Sequence, residues 1–151
     1  MAWKRWRIED VIHYPGSQEV EEYVYTPGLH GLEAAKAFKE GRILGMKCGD
    51  GVYVPPKTYC PDGREGELVE VKGPWRVVTY TIVYEDFYGN KLEEPQVLAL
   101  IKPDDADHGG LIHIVKVDPE RIHLGMEVKP HWKPPEKREG KITDIEYFEP
   151  A

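Results

Sequence analysis

The sequence predicts a mainly β protein with a single helix, and three observations carry that prediction. Only the stretch from Leu29 to Glu40 combines helix-favouring residues with apolar positions three apart. From Glu67 onward the apolar period changes to two, in segments separated by Gly, Asn and Asp turn signals. Between those regions, Lys47 to Gly63 has the punctuation of a zinc ribbon but keeps only one thiol in each half, Cys48 and Cys60. Five strands with one short helical turn after the third make the count of a closed Greek-key barrel of the OB type. The expected organisation is an N-terminal arm and helix (1–41), a degenerate zinc ribbon (42–66) and a five-stranded OB-type barrel domain (67–151).

The arm mixes Trp3, Trp6, Tyr14, Tyr23 and Tyr25 with an acidic run, Glu19 to Glu22, and turn signals at Pro15-Gly16 and Pro27-Gly28. It reads either as a strap over its own domain or as a docking arm, because Trp and Tyr make interface anchors. In the helix, Leu29, Leu32, Ala35 and Phe38 fall on one face, and Gly41 stands where a C-terminal cap belongs. Ile43 to Met46 leads into the hairpin, whose strand Val52 to Val54 is stopped by Pro55-Pro56.

The first barrel strand, Arg76 to Glu85, places Val78, Tyr80, Ile82 and Tyr84 on one face and Val77, Thr79, Thr81 and Val83 on the other. Further strands are expected at 96–102, 111–117, 126–132 and 142–148. Turns fall at Tyr88-Gly89-Asn90, from Asp104 to Gly110, and at Glu139-Gly140. From Asp118 to Gly125 the chain reads as one helical turn: Asp118 caps, Pro119 takes the first helical position, and Gly125 closes it.

Composition narrows the function. The chain has 151 residues and a formal charge of −7, with an isoelectric point near 5.4. That balance repels nucleic acid and anionic membranes. No apolar run approaches the roughly 20 residues that span a bilayer, and the basic start lacks a signal peptide's apolar stretch, so a cytoplasmic location is expected. Asn occurs once, at Asn90, Gln only at Gln18 and Gln96, charged residues make up 31% and prolines number 13. Such a composition fits a protein of a hot environment, where intracellular disulfides are a recognised exception.

The cysteines can form a disulfide, a remnant metal site or a nucleophile. A nucleophile needs a thiol activated by a nearby His or cation, and no motif links either cysteine to one. A disulfide ranks first, contributing roughly 3 kcal/mol in the chain-entropy model. A zinc completed by Asp50, Asp62 or a distant His would be an unusual mixture for a structural site. His113 and His131 read as strand positions, and His108 as part of a solvated turn that lacks calcium-loop spacing. No phosphate-binding glycine loop, nucleophile elbow or zincin motif occurs, so no catalytic residue is expected. Lys47, Lys57, Arg64, Lys72 and Arg76, with Trp75 among them, read either as ordinary charged surface or as an anion-contacting rim.

The run from Phe38 through Gly45-Met46-Lys47 to Cys48, then Val52 to Pro61, Val77 to Val83, Val97 to Ile101 and Val117 to Val128, resembles the DUF35 family. That family joins a rubredoxin-like zinc ribbon to an acyl-CoA-associated OB fold. By its Gly-Met-Lys lead-in, Cys48 matches the first zinc cysteine of the family, and Cys60 the third; the second is lost in a shortened turn, and the fourth falls at or near Gly63. The departure puts zinc in doubt and leaves a scaffold role untouched.

The resemblance implies a non-catalytic scaffold of thiolase-superfamily enzymes, similar to the archaeal third component joining acetoacetyl-CoA thiolase to HMG-CoA synthase in the mevalonate pathway. It makes Trp3, Trp6, Tyr23 and Tyr25 docking candidates, and Lys47, Lys57, Arg64, Lys72 and Arg76 candidates for CoA contact. No cofactor is expected to bind firmly, zinc included, and CoA is expected only at a shared interface. The runner-up is an OB module for single-stranded nucleic acid, opposed by Glu70, Glu85, Glu93, Glu94, Asp104 and Asp105 on or beside the strands. A stand-alone CoA hydrolase or transferase lacks an identifiable nucleophile and base.

Overall fold

The structure is a computed structural model that describes residues 24–151. Helix α1, Gly28–Glu40, ends at Gly41, whose φ of 77° is left-handed. There the Gly41 N–H donates to Phe38 O at 2.9 Å and the Arg42 N–H to Ala37 O at 2.8 Å, the closure that glycine permits. The face the helix buries differs from the expected stripe. His30 and Ala37 are its buried residues, whereas Leu29 and Leu32 are 71% and 48% exposed. The reason is polar: the His30 ring donates from Nδ1 to Lys57 O at 2.7 Å, which turns that side of the helix toward the loop after Val54. Phe38 packs beside Trp132, with ring centroids 6.2 Å apart.

The first sheet joins β1 (Ile43–Cys48), β2 (Gly51–Val54), β3 (Glu67–Val71) and the short β6 (His108–Gly109) in the order β3-β1-β2-β6. The β1–β2 hairpin closes with Cys48 opposite Gly51. Strand β3 pairs Glu67–Val71 with Lys47–Ile43, so the start of the segment assigned to the barrel domain belongs to this first sheet. A period of two marks a strand without naming its neighbour, and the barrel starts only after the Lys72-Gly73-Pro74 link.

The barrel consists of β4 (Trp75–Glu85), β5 (Lys91–Pro103), β7 (Leu111–Val115), β8 (Glu127–Trp132) and β9 (Ile145–Pro150). It closes in the order β4-β5-β7-β9-β8, so the fourth and fifth strands exchange places, as an OB-type Greek key requires. Trp75, Val77, Val97, Ala99, Ile101, Val115, Val128, Ile145 and Phe148 fill it, and each large aliphatic or aromatic side chain buried there contributes roughly 1.5–3 kcal/mol. The Trp75 and Phe148 rings meet at 5.7 Å.

A register shift between Val77 and Thr79 revises the expected faces of β4. Val77, Tyr80 and Ile82 stand opposite Ile101, Ala99 and Val97, while Thr79 and Thr81 stand opposite Leu100 and Leu98. The bulge at Val78 swaps the parity, so Val77 shares a side with Tyr80 and Ile82. Residues 118–125 form a hydrogen-bonded turn in place of the helical one. Asp118 still caps it, its Oδ1 accepting from Glu120 N at 3.0 Å. The turn brings Ile122 and Met126 into the core and ties Gly125 N to Val77 O at 2.8 Å.

Asp144, in the 3-10 turn Ile142–Asp144, has no solvent exposure. Its carboxylate accepts from the backbone N–H of Glu139 at 2.9 Å, Gly140 at 2.7 Å and Lys141 at 3.1 Å. Burial pushes its pKa up, and the three backbone donors more than offset this, holding the group below its ordinary value.

Candidate functional site

The loop from Asp104 to Gly110 joins the two sheets, and its composition explains how. Asp107 accepts from Val52 N at 2.8 Å and donates its own N–H to Val52 O at 2.9 Å. Asp105 accepts from Lys72 N at 2.7 Å and Gly73 N at 3.2 Å. Gly110 N donates to Val54 O at 2.7 Å, and the preceding Gly109 has a φ of 80°. A Cβ at Gly109 would collide with the Val54 carbonyl oxygen. The solvated turn expected here is thus a clamp: the edge N–H groups of β2 and of the Lys72-Gly73 link need acceptors, and the aspartates supply them. His108 stacks on Tyr53 at 4.4 Å, and Tyr53 donates to Asp50 Oδ2 at 2.5 Å, which raises the Tyr53 pKa.

Beside this clamp lies a cleft of about 420 Å³. Met46, Val54, Pro55 and Pro61 face Leu100 and Ile112 across it, with Lys57 and Tyr59 also in the lining. The lining continues onto an open sheet face. Leu100 stands opposite Ile112 and Leu98 opposite Ile114, on the side shared with Thr79 and Thr81. Ile112 is 67% exposed and Ile114 37%, so an aliphatic band on β5 and β7 faces solvent.

A second exposed feature is the outer part of the β4–β5 hairpin. Its turn is set by Asp86, whose Oδ1 accepts from Tyr88 N at 2.9 Å and Asn90 N at 2.8 Å, while Oδ2 accepts from Asn90 Nδ2 at 2.9 Å. Those bonds, the Asn90 side chain first, hold the Asp86 pKa below its ordinary value. The turn displays Phe87 and Tyr88 edge to face, 5.5 Å between centroids.

The five candidate cations do not converge. Lys47 and Arg64 border a hollow beside Cys48 and Cys60, where Arg64 is held by Asp62 at 2.6 Å. That pairing lowers the Asp62 pKa and raises that of Arg64. Lys57 lines the cleft. Lys72 lines a separate hollow with Trp75 and Trp132, and Arg76 is held by Asp104 at 2.9 Å and Glu127 at 3.2 Å. Trp3, Trp6 and Tyr23 lie outside the described residues, and Tyr25 is exposed. Sequence reasoning passed over Ile112, Ile114, Phe87 and Tyr88. Their signals were present: Leu111-Ile112-His113-Ile114-Val115 is apolar at both parities, and two aromatics occupy a turn that polarity should claim.

A family model described as the C-terminal OB-fold domain of ChsH2 matches residues 68–133. A crystal structure of a DUF35-family protein of unknown function from Sulfolobus solfataricus superposes with a TM-score of 0.59 at 31% identity, covering 68% of this chain and 78% of that one. The chain belongs to the DUF35 family. Two curated relatives, from Pyrococcus furiosus and Methanocaldococcus jannaschii, are each named DUF35 domain-containing scaffold protein. They are 33% identical over 91 residues and 30% identical over 94. These matches cover 58% of this chain and 66% and 64% of the relatives, so the chain spans just under two thirds of their length. A solved Ltp2-ChsH2(DUF35) aldolase shares the fold at a TM-score of 0.58 and 24% identity, over 80% of this chain and 94% of that one.

The zinc that the family resemblance implies does not fit this chain's residues. Cys48 and Cys60 are joined to each other in a disulfide, and the positions that would complete two knuckles hold Gly51 and Gly63. Among the described residues no three His, Cys, Asp or Glu side chains gather to hold a metal ion, and no helix is long and apolar enough to cross a membrane.

Proposed function

We propose that this chain is a non-catalytic scaffold subunit that docks on thiolase-superfamily enzymes, acetoacetyl-CoA thiolase, HMG-CoA synthase or both, and helps organise acyl-CoA transfer between them. The observation that carries the reading is the aliphatic band of Leu98, Leu100, Ile112 and Ile114, which opens onto the cleft with Ile112 67% exposed. A contiguous apolar surface rimmed by polar residues is what a protein partner covers. The scaffold names of the two curated relatives support the same role.

The physical gain is local concentration. Condensing two acetyl-CoA molecules is unfavourable, and a subunit that keeps the product beside the next enzyme raises its effective concentration to roughly the millimolar range without supplying a reacting group. Lys57, whose ammonium has no ion-pair partner among the described residues, lines the cleft and is the cation best placed for a CoA phosphate at such an interface. Binding of single-stranded nucleic acid would need stacking aromatics and cations on the β5–β7 face, which here carries aliphatic side chains.

The test is size-exclusion co-migration of the purified chain with purified thiolase and synthase of its own host. Wild type is expected to co-elute with at least one of them, and Ile112→Asp/Ile114→Asp, which buries two carboxylates in the contact, to run alone while remaining folded. Failure of wild type to associate with either enzyme overturns the proposal.

A further inference from the structure

We propose that the β4–β5 hairpin is the anchoring arm of the complex: Phe87 and Tyr88 enter an apolar pocket of the catalytic partner, and the pocket is bordered by Lys and Arg side chains. The inference rests on the scaffold reading and adds to it the place and the chemistry of the contact.

The arm stands clear of the barrel. Strand β8 pairs with β4 only at Trp75 and Arg76, and β7 leaves β5 at Val97, so beyond Ile82 and Val97 the hairpin pairs with no other strand, and only its base, at Glu94, Pro95 and Gln96, borders a hollow with Lys116 and Tyr147. At the rise of an extended strand, Val83 to Glu85 carry the tip outward by about 7 Å before the turn begins. There Phe87 is 97% exposed, Tyr88 85% and Tyr84 59%.

Such exposure is unfavourable in an isolated protein, yet the turn is built to hold it. Both oxygens of Asp86 and the side chain of Asn90 fix the backbone around the two rings. An anchor already in its bound geometry loses little conformational freedom on docking, and exposed aromatic side chains are the residues that dominate protein contacts.

Charge states the chemistry of the pocket's rim. Glu85, Asp86, Glu93 and Glu94 flank the tip against one cation, Lys91, and all are exposed. None of these carboxylates takes part in an ion pair among the described residues. A basic rim complements them and speeds encounter. A second copy of this chain, bearing the same negative arm, does not offer that complement. Pairing by strand edges is also opposed, because Pro95 brings no N–H to its edge and charged side chains line the arm.

Surface plasmon resonance with the full chain against the purified thiolase and the purified synthase tests the proposal. Phe87→Ala/Tyr88→Ala should weaken binding by about 100-fold or more, with an unchanged urea midpoint because neither ring is packed in the core. Glu93→Lys/Glu94→Lys should slow association about tenfold at low salt, with the difference vanishing at high salt. If wild type binds and the aromatic double variant binds as tightly, the arm is rejected and the scaffold reading stands. If wild type binds neither enzyme, both are rejected. If wild type self-associates in sedimentation and the variant does not, the occupant is a second copy and the proposal is overturned.

Discussion

Reduction of the Cys48–Cys60 disulfide should cost the protein about 3 kcal/mol. The bridge closes a loop across a separation of 12 residues, and in the chain-entropy relation a loop of that length removes roughly that much freedom from the unfolded chain. Its surroundings limit local relief. Cys60 is 8% exposed, and a Cβ at the neighbouring Gly66 would collide with Met46, which is 1% exposed. Loosening the knuckle therefore loosens the packing of Met46 beneath it. The assay is urea unfolding of wild type with and without reductant, beside Cys48→Ala/Cys60→Ala in both conditions. The expected result is a loss of about 3 kcal/mol, equivalent to a fall in Tm of about 6–12 °C for a chain of this size, shared by reduced wild type and the variant and not recovered by zinc. Recovery of the reduced protein by stoichiometric zinc would refute the reasoning, since it would show four competent ligands where two cysteines and two glycines stand. Indifference to reductant would refute it equally.

Other consequences are accessible to the same methods. Gly109→Ala introduces a side chain at a φ of 80° against the Val54 carbonyl. It should destabilise by about 2 kcal/mol or more, with loss of the Tyr53–His108 contact visible in the tyrosine NMR signals. Asp144→Asn replaces a carboxylate that accepts three backbone N–H bonds and should cost about 2–3 kcal/mol in urea unfolding. The pH dependence has a defined sign. Because the folded pKa of Asp144 is lowered, its contribution is complete above the ordinary carboxylate range and is lost as pH falls toward the folded value. Stability measured from pH 7 down to about pH 3 should therefore decline less steeply in Asp144→Asn than in wild type; parallel curves would contradict the assignment.

The barrel was legible because β-branched alternation and Gly, Asn and Asp turns mark strands locally, and because five strands with a turn after the third leave few closures. What escaped depends on groups that meet only in space. Val78 carries no mark of a bulge, yet one extra residue there reverses which side chains of β4 share a face. Leu32 looks like core on a helical wheel, but His30 finds the Lys57 carbonyl, and a hydrogen bond between residues 27 apart has no periodic signature. Asp104, Asp105 and Asp107 look like a hydrated loop until β2 presents its N–H groups to them. The candidate site was read from charge, and the structure spreads those cations over three hollows and several ion pairs. Ile112 and Ile114 carried a local apolar signal of their own, because aliphatic side chains at both parities of a strand leave one set on the outer face.

In the proposed role this protein acts through the surface it offers to larger enzymes. That role is tested most directly by following free acetoacetyl-CoA while purified thiolase and synthase convert acetyl-CoA, with and without the chain. The expected result is that the chain alone turns over no acetoacetyl-CoA, and that adding it to both enzymes lowers the free pool while HMG-CoA forms faster. Turnover by the chain alone, or an unchanged pool when all three proteins are present, would contradict it.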